Sequence, residues 1–321
     1  MNPFFQFFQR NHALAKIEQA QSTEQTNLVL EGFDLLEVPK ELLACAKLHT
    51  LFLARNKIQT FPNQIFHLKN LHTLAIDYNN LTTFPDEVAQ LKHLRNLNIS
   101  HNPIEDLTSS IGQFQELESL WCNSCNLKTL PDEIGLLTSL DTLGARNNFI
   151  RELPTGICHL KKLRWLTLEN NLLFMLPNMF HQLDLLIHLN LNRNKFISIP
   201  YQITNLVKLR YLMMQSNSMY TINQNVLHKL RHVYKINLMH NPILMLPDII
   251  KKFSNIVIAG NEWEDSIENA ETETNSDESS EEWEDSIDSS ELDFVSSDSD
   301  SEEEEVIGDY LPKLSKYLVT Y

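Results

Sequence analysis

Glycine is scarce in this chain, with 7 among 321 residues. None stands in a GxGxxG or GxxxxGKS/T pattern, so the backbone cradles that hold nucleotide phosphates are missing and nucleotide chemistry is not expected. Cysteine is scarce too. Its 4 scattered residues make no disulfide framework, which fits a reducing compartment. No stretch approaches the roughly 18 consecutive apolar residues needed to span a bilayer. The opening "MNPFFQFFQR" has no basic run ahead of its aromatics, and Gln6 interrupts them, so it does not read as a signal peptide. We expect a soluble, cytoplasmic chain, with the nucleus left open.

Positive charge is nearly absent from one end. Residues 261–321 carry 2 Lys+Arg against 22 Asp+Glu, whereas residues 1–260 carry 24 against 20, so the formal charge of −16 averages a near-neutral body with an acidic tail.

What the body does contain is a period. "LHTLAIDYNNLTTFPDEVAQLKH" (71–93) superimposes on "LDTLGARNNFIRELPTGICHLKK" (140–162) at nearly every apolar place, giving the unit LxxLxLxxNxLxxLPxxIxxLxx of 23 residues. Copies begin at Gln25, Leu48, Leu71, Leu94, Leu117, Leu140, Leu163, Leu186, Leu209 and Val233, the ninth with one inserted residue, and the pattern fades after Ile256. This is the leucine-rich repeat signature. The fold class expected is α/β: a horseshoe solenoid with a parallel concave sheet built from LxxLxL and short helical or 3₁₀ convex returns built from LPxxIxxL. Asparagine stands at the ninth place (Asn56, Asn79, Asn102, Asn148, Asn171, Asn194, Asn217, Asn241), where the resemblance implies an amide bonding backbone groups otherwise orphaned inside. Proline is missing from two returns, replaced by Thr108 and Asn223. The second lies in the 24-residue copy, so an irregularity is expected near 218–232.

Four segments are expected: 1–24 a helical cap, 25–260 the solenoid, 261–305 a disordered Ser/Asp/Glu tail, and 306–321 an apolar segment able to form a helix. In the cap, Ala13, Leu14, Ile17 and Ala20 follow helical spacing, and Phe4, Phe5, Phe7 and Phe8 are expected to seal the first layer. The other reading, a membrane-surface helix, is weakened by the lack of a Lys/Arg-rich face.

Cys122 and Cys125 form a CxxC. Counted in the repeat, the first falls at an inward leucine place and the second at the ladder place, where the repeat consensus admits cysteine, so both are expected in the core, as is Cys45. A structural zinc site needs four ligands, and no second CxxC completes one. His67, His159 and His181 fall on convex returns, and His49, His72, His101, His188 and His240 on the strand side, mostly as solvated residues. With no HExxH and no GxSxG, we expect no catalytic residue, no metal and no cofactor.

Binding is expected where leucine is not required. The second, third, fifth, seventh and eighth places project from the sheet and supply Phe52, Tyr78, Trp121, Trp165, Tyr211 and Met213. Around them lie Arg55, Arg95, Arg146, Arg164, Arg193, Arg210 and Lys235, against Asp77, Glu118, Asp141 and Glu169. Aromatic and arginine side chains are common interface anchors, so Phe52, Arg55, Tyr78, Trp121, Arg146, Arg164, Trp165, Arg193, Arg210 and Tyr211 are the candidate contacts with a protein partner. The competing reading is that each is an ordinary surface residue, many paired with a carboxylate on an adjacent strand. Nucleic acid is not expected, since the body is only slightly basic and the tail would repel phosphate.

"EWEDSI" occurs twice in the tail, placing Trp263 and Ile267, then Trp283 and Ile287, in the same setting. A two-copy linear motif and chance duplication in biased sequence both remain open. The tail could also fold back over the basic concave face, its link reaching roughly 35 to 40 Å.

The LPxxI units resemble those of intracellular scaffolds such as the Ras suppressor protein and the repeat regions of Scribble and Erbin. That resemblance implies a non-enzymatic protein-interaction scaffold or adaptor in signalling or assembly, and we expect a monomer. The alternative is a binder of basic, histone-like proteins, similar to the acidic leucine-rich nuclear phosphoproteins, although this chain has more repeats and a tail containing Ser and Trp.

Overall fold

The computed structural model describes residues 3–258; the readings of the acidic tail, of its Trp and Ile motif and of the C-terminal segment lie outside the described residues. The alternation LxxLxL makes each repeat start as a short strand, because leucines two apart share one face. The strands are β1 (Asn27–Val29), β2 (Thr50–Phe52), β3 (Thr73–Ala75), β4 (Asn96–Asn98), β5 (Ser119–Trp121), β6 (Thr142–Gly144), β7 (Trp165–Thr167), β8 (His188–Asn190), β9 (Tyr211–Met213), β10 (Lys235–Asn237) and β11 (Ile256–Val257). They form one sheet in chain order, all parallel, and the register pairs like with like: Leu143 with Leu166, Leu166 with Leu189, Leu189 with Leu212. The eleventh strand lies just where the repeat fades. Its Ile256 and Val257 still pair with Ile236 and Asn237.

Proline sets the returns. Its fixed φ holds the chain extended at Pro39, Pro85, Pro131, Pro154, Pro200 and Pro247, and a 3₁₀ turn starts at the next residue. Each turn buries at least one apolar side chain against the layer, among them Val88, Ile111, Ile134, Ile157 and Ile203. Thr108 keeps the same extended conformation without the ring. Asn223 does something different: its side chain accepts from the Asn225 N–H and caps α2 (Gln224–Lys229), an α-helix in place of a 3₁₀ turn, which is the irregularity expected near 218–232.

The ladder is complete in its detail. Asn171 Nδ2 donates to the carbonyls of Ala145, Leu168 and Glu169 at 2.9, 3.0 and 3.3 Å, while its Oδ1 accepts from the Ile150 N–H at 3.0 Å. Asn56, Asn79, Asn102, Asn148, Asn194, Asn217 and Asn241 repeat this pattern. Cys125 takes the same place with one donor: its thiol reaches the Ile99 carbonyl at 3.3 Å. It has no amide oxygen to offer, so the Ile104 N–H turns to the Asn102 carbonyl at 2.7 Å instead.

At the N-terminal end α1 (Pro3–Ser22) covers the first layer with Ala13, Ile17 and Ala20, all buried. Three of the four phenylalanines expected there do not seal it. Phe4, Phe7 and Phe8 are exposed, because a helix presents only one stripe to the layer and theirs lies at the far end, before the first buried turn. The ladder place of the first repeat is taken by Phe33, which is buried and meets His12 of α1 ring to ring at 5.0 Å.

Candidate functional site

Four free cysteines are buried in the stack, Cys45, Cys122, Cys125 and Cys158. Burial pushes the Cys125 thiol up to about 12 and Cys122 well above its usual range, so neither is a thiolate at neutral pH and neither suits redox or metal chemistry. An HxxxH spacing occurs at His228 and His232, but His232 places both ring nitrogens on the carbonyls of Lys229 and Leu206. Among the described residues no group of His, Cys, Asp and Glu could hold a metal ion.

The outward face of the sheet is a set of columns, because equivalent residues of successive repeats lie one strand apart. In the third-place column Trp165, His188 and Tyr211 are neighbours by register. Trp165 and His188 stack at 4.2 Å with planes 5° apart, Tyr211 follows at 6.1 Å, and Tyr234 meets Tyr211 edge-on at 5.6 Å. The sequence reading left His188 among the solvated histidines. The structure buries it between two rings, and that burial lowers its pKa to about 4, so it is a neutral aromatic plate in this row. Its column gave a signal in the sequence, since a histidine midway between Trp165 and Tyr211 at a 23-residue spacing must touch both.

Trp121 is half-buried on the sheet face and does not stand out into water. A Cβ on Gly144 would come within 2.2 Å of its ring, so the indole packs over that glycine on the next strand. Trp165 and Tyr211 are likewise half-buried by their row, as is Phe52, and Met213 is buried. Tyr78 alone of the predicted aromatics is largely exposed. It is sandwiched between the Arg55 guanidinium, 5.7 Å from its ring, and the His101 ring, stacked at 4.0 Å.

The arginines divide by position. Arg55 faces Glu31 at 3.5 Å, Arg95 faces Glu116 at 3.7 Å, and Arg164 donates from Nε to the Asp141 carboxylate, so the adjacent-strand pairing reading holds for these three. Arg146 donates its backbone N–H to Asn123 Oδ1. Arg193, Arg210 and Lys235 have no carboxylate within salt-bridge distance among the described residues, and all three are exposed; Arg210 precedes Tyr211 and Lys235 pairs with it in register, whereas Arg193 lies past its strand at the eighth place. Glu169 is turned to Asn190. Asp77, expected at the surface, is buried instead, and desolvation, with a smaller contribution from Glu31, raises its pKa to about 6 against the pull of its backbone bond and of Arg55. The sheet face is thus charge-paired as far as its seventh repeat and, from there to its last one, aromatic with Arg210 and Lys235 uncompensated among the described residues.

Two family profiles match the chain, one described as "Leucine-rich repeat region" over residues 121–240 and one as "Leucine rich repeat" over residues 46–104. Among solved structures, a leucine-rich repeat protein of Leptospira interrogans is 27% identical, with 76% of this chain covering 75% of that one at a TM-score of 0.60. The ectodomain of the Arabidopsis thaliana receptor kinase GASSHO1/SCHENGEN3, solved with CASPARIAN STRIP INTEGRITY FACTOR 2, is 32% identical over 67% of this chain at a TM-score of 0.58. This chain spans only 27% of that one. An internalin of Listeria monocytogenes, at 20% identity and a TM-score of 0.59, matches 78% of this chain and 81% of its own, and shares the fold. No curated protein matches the sequence. The repeat, its rung-by-rung hydrogen bonding and both profiles agree: this chain belongs to the leucine-rich repeat proteins.

Proposed function

We propose that this chain is a non-enzymatic, intracellular scaffold that binds a protein partner on its sheet face, centred on the last repeats. Leucine-rich repeat solenoids are in general binding modules, and a stack of this kind leaves one face free of folding constraints. The observation that supports the reading is the row Trp165, His188, Tyr211, Tyr234, flanked by Arg210 and Lys235 without carboxylate partners among the described residues. Rigid aromatics beside arginine supply contact area and directed hydrogen bonds at low entropic cost, which is what an interface centre needs. Among the described residues no helix is long and apolar enough to cross a membrane.

The test is affinity capture with the full chain beside a variant carrying Trp165→Ala, Tyr211→Ala and Arg210→Ala. We expect proteins retained by the first to be lost by the second, and identical captures would refute the reading. The other reading, a carrier of basic proteins, rests on residues outside those described. Histone binding that vanishes when residues 262–321 are removed would favour it.

A further inference from the structure

The edge of the stack that follows the asparagine ladder carries a second pattern. At the eleventh place of repeats seven to ten, Leu173, Phe196, Met219 and Ile243 point inward and are wholly or almost wholly buried. The next residue points out. At that twelfth place the first repeat has the exposed Leu36, but repeats two to six have polar side chains, Gln59, Thr82, Glu105, Lys128 and Arg151, and Glu105 and Lys128 pair across rungs at 2.7 Å. From the seventh repeat the column changes to Phe174, Ile197, Tyr220 and Leu244, which are 55%, 52%, 45% and 68% exposed. Met175 and Met245 widen it at the thirteenth place. Four apolar side chains in one column facing water are not needed by the repeat, whose consensus accepts polar residues there, and they form a contiguous stripe.

The backbone beneath is continuous. Lys195 N–H donates to the Leu173 carbonyl at 2.7 Å, Ser218 to Phe196 at 2.9 Å and Leu244 to Tyr220 at 3.3 Å, and Thr221 bridges Met245 in parallel. The column is therefore hydrogen-bonded from rung to rung, about 4.8 Å apart, with a change of register at the last rung, where the twelfth place bonds the twelfth and no longer the tenth the eleventh. At its head a shallow groove lined by Phe149 and Leu172, with Lys128, Thr129, Arg151 and Glu152, extends the edge into repeats five and six. Between the eighth and thirteenth places of repeats seven to ten there is no Asp or Glu, whereas Arg193 and Lys195 are exposed there.

We propose that this edge is a docking site, separate from the sheet face, for an amphipathic α-helix of a partner protein with an apolar stripe and acidic flanks. A helix presents a side chain on one face every three to four residues, about 5 Å of rise, and so matches the rung spacing. An extended peptide presents one about every 6.7 Å and falls out of step within two rungs. Apolar residues at i, i+3 or i+4 and i+7 would meet successive members of the column, and the helix axis would run along the solenoid. Arg193 and Lys195, lacking acidic neighbours on this edge, select carboxylates at its rim and reject a basic helix.

The probe is a fluorescein-labelled helical peptide of about 18 residues with leucine at that spacing and glutamate on both sides, followed by anisotropy with the full chain at roughly 0.15 M salt. We expect saturable binding that falls by about tenfold or more in the Ile197→Asp, Leu244→Asp variant, both sites being exposed and the fold checked by its melting curve. Binding within about twofold of the parent is expected for the Trp165→Ala, Arg210→Ala variant, so failure of the sheet-face reading and failure of this one give different results. The proposal is overturned by no binding, by equal binding of a same-composition peptide with scrambled spacing, or by loss in the sheet-face variant instead. A concentration-dependent dimer in sedimentation that Ile197→Asp disperses would also overturn it, by assigning the edge to a second copy of this chain.

Discussion

Two buried titratable side chains on the sheet face pull stability in opposite directions as the pH changes. Asp77 is 8% exposed with its pKa raised to about 6, so between about pH 4 and 6 the folded state holds a proton that the unfolded chain has released. Its contribution therefore falls as pH rises from about 4 through 6, by up to roughly 3 kcal/mol, and Asp77→Asn should stabilise the protein at neutral pH while leaving it unchanged near pH 3. His188 is the reverse case. Its lowered pKa means the unfolded chain binds the proton first, so its contribution is intact above about 6.5 and is lost as pH falls toward 4, again by up to roughly 3 kcal/mol. Denaturant unfolding of His188→Phe at several pH values should show that part of the acid sensitivity gone. The sequence placed both groups in outward columns, and for His188 the 23-residue spacing also pointed to its two ring neighbours, but how far those neighbours bury each group was not readable from it. Their columns were legible, but their solvent exposure was not.

At the scale of the repeat, the asparagine ladder and the convex returns carry most of the specificity. Asn171→Ala removes three donated bonds and one accepted bond inside a dry layer, a cost of about 2 to 4 kcal/mol. Cys125→Ala loses a thiol whose rung has already rerouted its N–H to backbone, and should cost about 1 kcal/mol. Parallel chemical denaturation of the two variants tests that ranking, and equal losses would show that the ladder is not held by its amides. The returns at Asp132–Leu136 and Thr155–His159 approach so closely that a Cβ on Gly135 would lie 2.3 Å from the Gly156 carbonyl oxygen. Gly135→Ala should destabilise by about 2 to 3 kcal/mol through separation of these two turns, measurable as a lower melting temperature. The strand, ladder and turn places were all readable because one physical unit is repeated and errors in any copy are outvoted by the rest. Asn223 shows the limit. The missing proline and the inserted residue marked a change, but whether the chain would cap an α-helix or merely bulge depended on the Asn223–Asn225 contact.

For the described part of the molecule as a whole, stability is nearly a sum of interfaces between neighbouring rungs, so the ends matter most. Ile17 is fully buried between α1 and the first repeat, where the Cys45 thiol reaches its carbonyl at 3.6 Å. Ile17→Asp should cost about 3 kcal/mol or more and let the N-terminal rungs open first, a loss of amide-exchange protection that begins at β1 and β2. An unchanged exchange pattern would mean the helix is not the cover.

The sequence by itself determined the repeat, its phase, the parallel register, the inward leucines and cysteines, and the division of charge along the chain, because each follows from local periodicity or composition. Only the tertiary structure decided which outward side chains meet each other. Stacking rungs a few ångströms apart turned single residues into columns, and those contacts buried His188 and Asp77, laid Trp121 over Gly144, paired Arg164 with Asp141 and, among the described residues, left the Phe174–Leu244 edge exposed.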